Sequence, residues 1–157
     1  MEKIASFQVD HLRLKPGLYV SRQDKFGDKV ISTFDLRFKE PNKEPVMDNP
    51  AMHTIEHLAA TFLRSHKDWA KRTVYFGPMG CRTGFYVIFE GEFNSEGALP
   101  IIREMLDFIL NFDGPIPGAS PAECGNWSEQ NLGMAKWEAA RYVAVLSNPG
   151  KENLNYP

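Results

Sequence analysis

His53, Glu56 and His57 fall within one pentapeptide, His-Thr-Ile-Glu-His. On a helix, positions i and i+4 stand one turn apart on the same side, so both imidazoles can reach one metal ion. Glu56 is then beside a metal-bound water or substrate, where a carboxylate works as an acid/base. Two histidines make an incomplete site. A stable one takes a third protein ligand, and a catalytic one keeps a position open. Half of the chain's four histidines sit in this pentapeptide, which argues against two unrelated surface histidines. The chain has two cysteines. Cys124 lies in PAECGNW, and its thiolate suits zinc or ferrous iron, which would complete a His2Cys set. Its bland alternative is a small buried hydrophobe. Cys81 lies in a glycine-flanked turn, Met79-Gly80-Cys81-Arg82-Thr83-Gly84. Glycines there let a ligand approach closely, and Arg82 next door favours a thiolate. The alternative is a structural cysteine.

These residues need elements to hold them. Asn49-Pro50 reads as an N-cap followed by proline at the first helical position, opening a helix to Ser65. Ile55, Leu58, Ala59 and Phe62 form its core stripe. His53, Glu56, His57, Ala60 and Arg64 share a second face. From Val30 to Phe38 the chain alternates, with Asp35 and Arg37 on the polar side, which predicts a half-buried strand. Leu18 to Val20 is its hairpin partner across a turn containing Gly27 and Asp28. Thr73 to Gly77 and Gly84 to Glu92 are two further strands, joined by the Cys81 turn. Ser95 caps a helix through Phe112, and Ser128 caps a last helix with Leu132, Ala135, Ala139, Val143 and Leu146 inward. The pattern predicts the α+β class, an antiparallel sheet packed against helices.

Composition narrows the function. The chain has 157 residues, enough for one domain, and a net charge of −2. No run of Lys or Arg exceeds two, which disfavours a nucleic-acid surface. Two cysteines are too few for a disulfide scaffold. No apolar stretch approaches the roughly 20 residues of a membrane span. The first residues carry no apolar core of signal-peptide length, so the expectation is a cytoplasmic protein with reduced thiols. The tail 148–157 is polar and reads as an irregular extension.

His-x-x-Glu-His on a helix is shared with inverted zinc peptidases, whose third ligand is a downstream glutamate, here Glu129 or Glu138. A metallopeptidase is therefore one alternative, and a non-catalytic metal-binding or dimerisation module another. A larger set of motifs resembles the S-ribosylhomocysteine lyases. SFQVDH, FDLRFKEPNKE, MHTIEHLAATFLRSH, PMGCRTGFY and ECGNW follow in that family's order and near its spacing, to about residue 145. The resemblance implies a two-layer sandwich related to the inverted zinc peptidases, over a single domain at 1–157. It implies cleavage of S-ribosylhomocysteine to homocysteine and 4,5-dihydroxy-2,3-pentanedione, the autoinducer-2 precursor, in methionine metabolism and quorum sensing. It implies a homodimer with active sites at the interface. It implies one divalent metal per subunit, Fe2+ with Zn2+ or Co2+ as substitutes, held by His53, His57 and Cys124. Cys81 and Glu56 become the acid/base pair. Ser6, His11 and Arg37 match family residues that bind the ribose end of the substrate or assist proton transfer, and Arg64 matches one near the homocysteine end. In the family pattern an aspartate stands six residues before the catalytic cysteine. Here that position is Tyr75, which bears on recognition of the homocysteine amino group.

Overall fold

The computed structural model describes residues 4–157, apart from the side chains of residues 5 and 6. The side chain of Ser6, expected at the ribose end of the substrate, therefore lies outside the described residues. A short helix α1 (Ala5–Gln8) precedes strands β1 (Gly17–Phe26) and β2 (Lys29–Arg37). Helix α2 (Asn49–Ser65), strands β3 (Thr73–Pro78) and β4 (Gly84–Glu90), and helices α3 (Ser95–Asn111) and α4 (Leu132–Ser147) follow, then a 3-10 turn at Lys151–Asn153. The four strands form one antiparallel sheet in the order β1-β2-β4-β3. This is the α+β class the pattern predicts. No helix among the described residues is long and apolar enough to cross a membrane.

Strand periodicity builds the core. Phe34, Leu36 and Phe38, with Phe85, Val87 and Phe89, turn to one face and meet Ile55, Leu58, Ile102, Met105, Ala135 and Tyr142 from the helices. Burying each large apolar side chain contributes roughly 1.5–3 kcal/mol. Phe38 stacks on Tyr142 at 4.0 Å between ring centres.

The opposite face of β2 departs from the expectation of half burial. Thr33, Asp35 and Arg37 are only 7%, 1% and 3% exposed. Charged groups tolerate this because they pair: Arg37 grips Asp35 from two sides, while the N-terminal segment and the C-terminal tail close around them.

Three helix starts also differ. Asp48, not Asn49, caps α2 by accepting from Ala51 N at 3.0 Å. Asn94, not Ser95, caps α3, accepting from Gly97 N at 2.8 Å. Ser95 instead donates to the Leu154 carbonyl. Helix α4 starts at Leu132 with Asn131 as its cap, so Ser128 stays outside it. The cause lies in α2: Thr54 Oγ1 donates to Gln130 Oε1 at 2.7 Å and accepts from Asn131 N at 2.9 Å. These bonds draw the preceding segment across α2. Glu138 is buried on α4 in an ion pair with Lys39 Nζ at 2.7 Å.

Candidate active site

The helical face of α2 collects the first cluster. Ligand atoms of His53, His57 and Cys124 all lie within 4.8 Å of one another. Cys124 Sγ is 3.4 Å from His53 Nε2. The other ring nitrogens are taken by backbone: His53 Nδ1 donates to the Glu129 carbonyl at 3.0 Å, and His57 Nδ1 to the Pro117 carbonyl at 2.7 Å. Carbonyl partners fix the Nδ1–H tautomer and leave the Nε2 lone pairs free, which is how metal-binding imidazoles are held. Two imidazole nitrogens and one cysteine sulfur are thus a donor set that fits a divalent metal ion. A turn presents the thiol, with Glu123 N and Cys124 N both donating to the Ser120 carbonyl at 3.0 Å. Gly118 lets this loop approach α2. Its φ is +72°, and a Cβ there would stand 3.2 Å from His57 Nδ1. Glu56 lines the same recess, with Ala60, Thr61, Phe76 and Glu123. Neither glutamate of the peptidase alternative joins the cluster. Glu138 pairs with Lys39, and the Glu129 carboxylate accepts from Asn126.

The second cluster surrounds Cys81. Antiparallel pairing sets Arg37 opposite Gly84 and Asp35 opposite Tyr86, beside the turn that carries the thiol. Arg37 Nη1 donates to Thr83 Oγ1 at 2.6 Å, and Thr83 Oγ1 is 3.1 Å from Cys81 Sγ. Because Thr83 accepts from Arg37, its own proton is free to point at the sulfur. Arg37 Nη1 is also 4.0 Å from Sγ. The cation beside the thiol is therefore Arg37. Arg82 is exposed and serves the turn, at φ +59° with its N–H donating to the Met79 carbonyl at 2.9 Å.

Asp35 anchors Arg37, accepting from Nε at 3.1 Å and Nη2 at 2.5 Å. It also accepts from the Tyr156 hydroxyl at 2.9 Å. Burial pushes the Asp35 carboxyl up, against the pull of Arg37. Burial works against the charge on Arg37 too, but Asp35 outweighs it and the guanidinium is raised further. His11 lines this pocket with Phe7, Val9 and Tyr86, and its Nδ1 donates to the Val9 carbonyl at 2.8 Å.

The two clusters line separate recesses. The core side of β2 faces the helices, whereas Asp35, Arg37 and Cys81 belong to the other side of the sheet. Of the residues singled out in the sequence, His53, His57, Cys124 and Glu56 come together, and so do Cys81, Arg37 and His11. Arg64 joins neither recess. It ties α2 to β3, donating to the Val74 carbonyl at 3.0 Å and the Thr73 carbonyl at 3.5 Å. Tyr75 is 47% exposed beside Ser21, Arg22, Thr33 and Tyr86. Sequence reasoning missed Thr83, Asp35 and Tyr156. Asp35 and Arg37 share one strand face and Thr83 stands two residues after Cys81, so local signals existed for those. Tyr156 had none.

Comparisons with known proteins show the family. The profile of the S-ribosylhomocysteinase (LuxS) family matches residues 4–152. The S-ribosylhomocysteine lyase of Clostridium acetobutylicum is 57% identical over 100% of this chain and 99% of its own. Those of Porphyromonas gingivalis and Borreliella burgdorferi are 54% and 51% identical, each over 100% of this chain and at least 99% of its own. Similarity of this extent over the whole length means that the chain belongs to the S-ribosylhomocysteinase (LuxS) family.

Proposed function

We propose that this chain is a metal-dependent lyase that cleaves S-ribosylhomocysteine to homocysteine and 4,5-dihydroxy-2,3-pentanedione. It acts in the cytoplasm as one domain, in the two-layer sandwich of the inverted zinc peptidases, and its product serves methyl-cycle recycling and autoinducer signalling. The observation that carries the reading is the separation of the two thiols. Cys124 stands with two imidazoles in a ligand set, and Cys81 stands apart beside a threonine hydroxyl and a buried guanidinium.

The substrate in its open form is an aldose with a thioether at C5. The C–S bond lies far from the carbonyl, so the carbonyl must move from C1 to C2 and then to C3. The C4 proton is then acidic. Its removal drives electrons toward C5, and homocysteine leaves as a thiolate by β-elimination. A divalent ion held by His53, His57 and Cys124, ferrous in the cell with zinc or cobalt as substitutes, supplies Lewis acidity for oxygens that gain negative charge.

The chain's own residues move the protons. The Cys81 sulfur takes and returns carbon-bound protons during the two shifts, with Arg37 and Thr83 positioned beside it. The Glu56 carboxylate carries protons between sugar oxygens and takes the C4 proton. Ser6, His11 and Arg37 hold the ribose end, and Arg64 lies toward the homocysteine end. Tyr75 replaces the family's aspartate, so the amino group needs another partner. Cys81 and Glu56 line different recesses in one chain, which supports a homodimer whose sites form where two chains meet.

Metal analysis combined with an anaerobic assay of free thiol tests the assignment. Cys81→Ala and Glu56→Gln are expected to abolish turnover and keep the metal. His57→Ala and Cys124→Ala are expected to lose it. Release of homocysteine by Cys81→Ala at the wild-type rate, or full metal in Cys124→Ala, would overturn the reading.

A further inference from the structure

The C-terminal tail is bound to the fold at several points. The Asn153 side chain donates to the Pro16 carbonyl at 2.8 Å, and the Tyr19 hydroxyl meets the Glu152 carbonyl at 2.7 Å. Ser95 Oγ holds the Leu154 carbonyl at 2.9 Å. At Gly17 the backbone of Asn153 comes so close that a Cβ would stand 2.2 Å from its carbonyl oxygen, so only glycine admits the tail. This docking delivers Tyr156 to the thiol pocket. Its ring stacks on Tyr19 at 4.7 Å and 14° between planes. Its hydroxyl, which also bonds with Ser21, donates to Asp35 Oδ2 at 2.9 Å. Tyr156 is one wall of the pocket that Cys81, Arg37 and His11 line. It also lies beyond residue 152, where the family profile stops matching.

We infer that Tyr156 is a positioning residue for the thiol: it fixes Asp35, Asp35 fixes the Arg37 fork, and Arg37 with Thr83 orients Cys81. The inference rests on Cys81 being the working thiol of the proposed lyase. Each link is a hydrogen bond, Tyr156 to Asp35 at 2.9 Å, Asp35 to Arg37 at 2.5 and 3.1 Å, Arg37 to Thr83 at 2.6 Å, and Thr83 to Cys81 at 3.1 Å. The hydroxyl acts in two ways with one sign. It stops the Asp35 carboxylate from swinging away from Arg37, and it draws off part of the negative charge that would otherwise cancel Arg37's field at the sulfur. Burial, helped by Asp35, holds the Tyr156 phenol far above its ordinary range, so it remains a donor at and around neutral pH. The other groups facing the sulfur are Tyr86 from β4 and His11 from the N-terminal segment, with Arg82 as its chain neighbour. Tyr156→Phe leaves all of them in place.

The experiment is alkylation of the metal-loaded protein with iodoacetamide across pH, resolved at Cys81 by peptide mass. Tyr156→Phe keeps the stacked ring and removes only the hydroxyl. A chain ending at Asn155 is a second variant. Alkylation of Cys81 near neutral pH is expected to slow about threefold to tenfold in both, the scale of one charge-assisted hydrogen bond partly transmitted. The pH profile should move upward, with Cys124 unaffected and kcat falling by the same factor at little change in KM. A role confined to stability would lower the melting temperature and leave the profile in place. Cys81 profiles of both variants that superimpose on wild type overturn the inference. Alkylation needs no substrate. Wild-type protein that shows this dependence yet releases no homocysteine refutes the lyase reading and leaves the tail's role standing.

Discussion

Two inactive variants should restore each other. Cys81 sits with Asp35 and Arg37 on one side of the sheet, and Glu56 sits on α2 among the helices of the other. If both act on one substrate, they come from different chains. A dimer of Cys81→Ala with Glu56→Gln then holds one site with both defects and one with neither. Random association of equal amounts makes about half of the dimers mixed, so the mixture recovers about a quarter of the wild-type rate. Mixed dimers isolated through two different affinity tags should reach about half of that rate. The assay is anaerobic release of free thiol from S-ribosylhomocysteine, with metal content matched across samples. Parent variants should stay at background. Isolated mixed dimers that also stay at background would show that each chain completes its own site. A chain that stays monomeric at assay concentration would refute the shared site directly.

Other expectations follow from single contacts. Truncating one partner of the buried Lys39–Glu138 pair, by Lys39→Ala or Glu138→Ala, should cost about 3–5 kcal/mol in urea unfolding, because the remaining charge stays buried alone; a loss below about 1 kcal/mol would contradict that. Gly118→Ala forces a side chain into φ +72° and against His57, so it should weaken metal binding in a chelator competition; unchanged affinity would contradict the close approach. Partial burial works against the charge on Glu44, but the Glu40 N–H and Arg141 outweigh it and lower its pKa from the ordinary 4.5. A lowered carboxyl stabilises the fold above its ordinary value and loses that contribution as pH falls through the folded value. The stability gap between wild type and Glu44→Gln should therefore shrink as acid is added below about pH 4.5, and a widening gap would reverse the assignment.

The parts of this molecule legible in its sequence are local. His53, Glu56 and His57 stand within one helical turn, so their common face follows from helical spacing alone. Cys124 is remote from them, yet its chemistry makes it a natural third ligand. The carbonyls of Glu129 and Pro117 that orient the imidazoles leave no trace, because any residue supplies a carbonyl. Ser128 is a good cap residue, but Thr54 recruits Gln130 and Asn131 and moves the start of α4 to Leu132. Tertiary bonds outweighed a local preference there. Asp35 and Arg37 look like the wet side of a strand until a distant tail covers them. Glu138 reads as a candidate third ligand until the fold pairs it with Lys39. Tyr156 becomes meaningful only once the chain's end is placed beside its middle.

Cleavage of the S-ribosylhomocysteine thioether by this chain loaded with ferrous iron is the proposed reaction. Its most direct test is a single anaerobic incubation in which homocysteine and the five-carbon dione are both quantified against bound iron. Both products are expected in equal amounts, at many turnovers per iron. Fully loaded protein that releases no thiol would contradict that reaction.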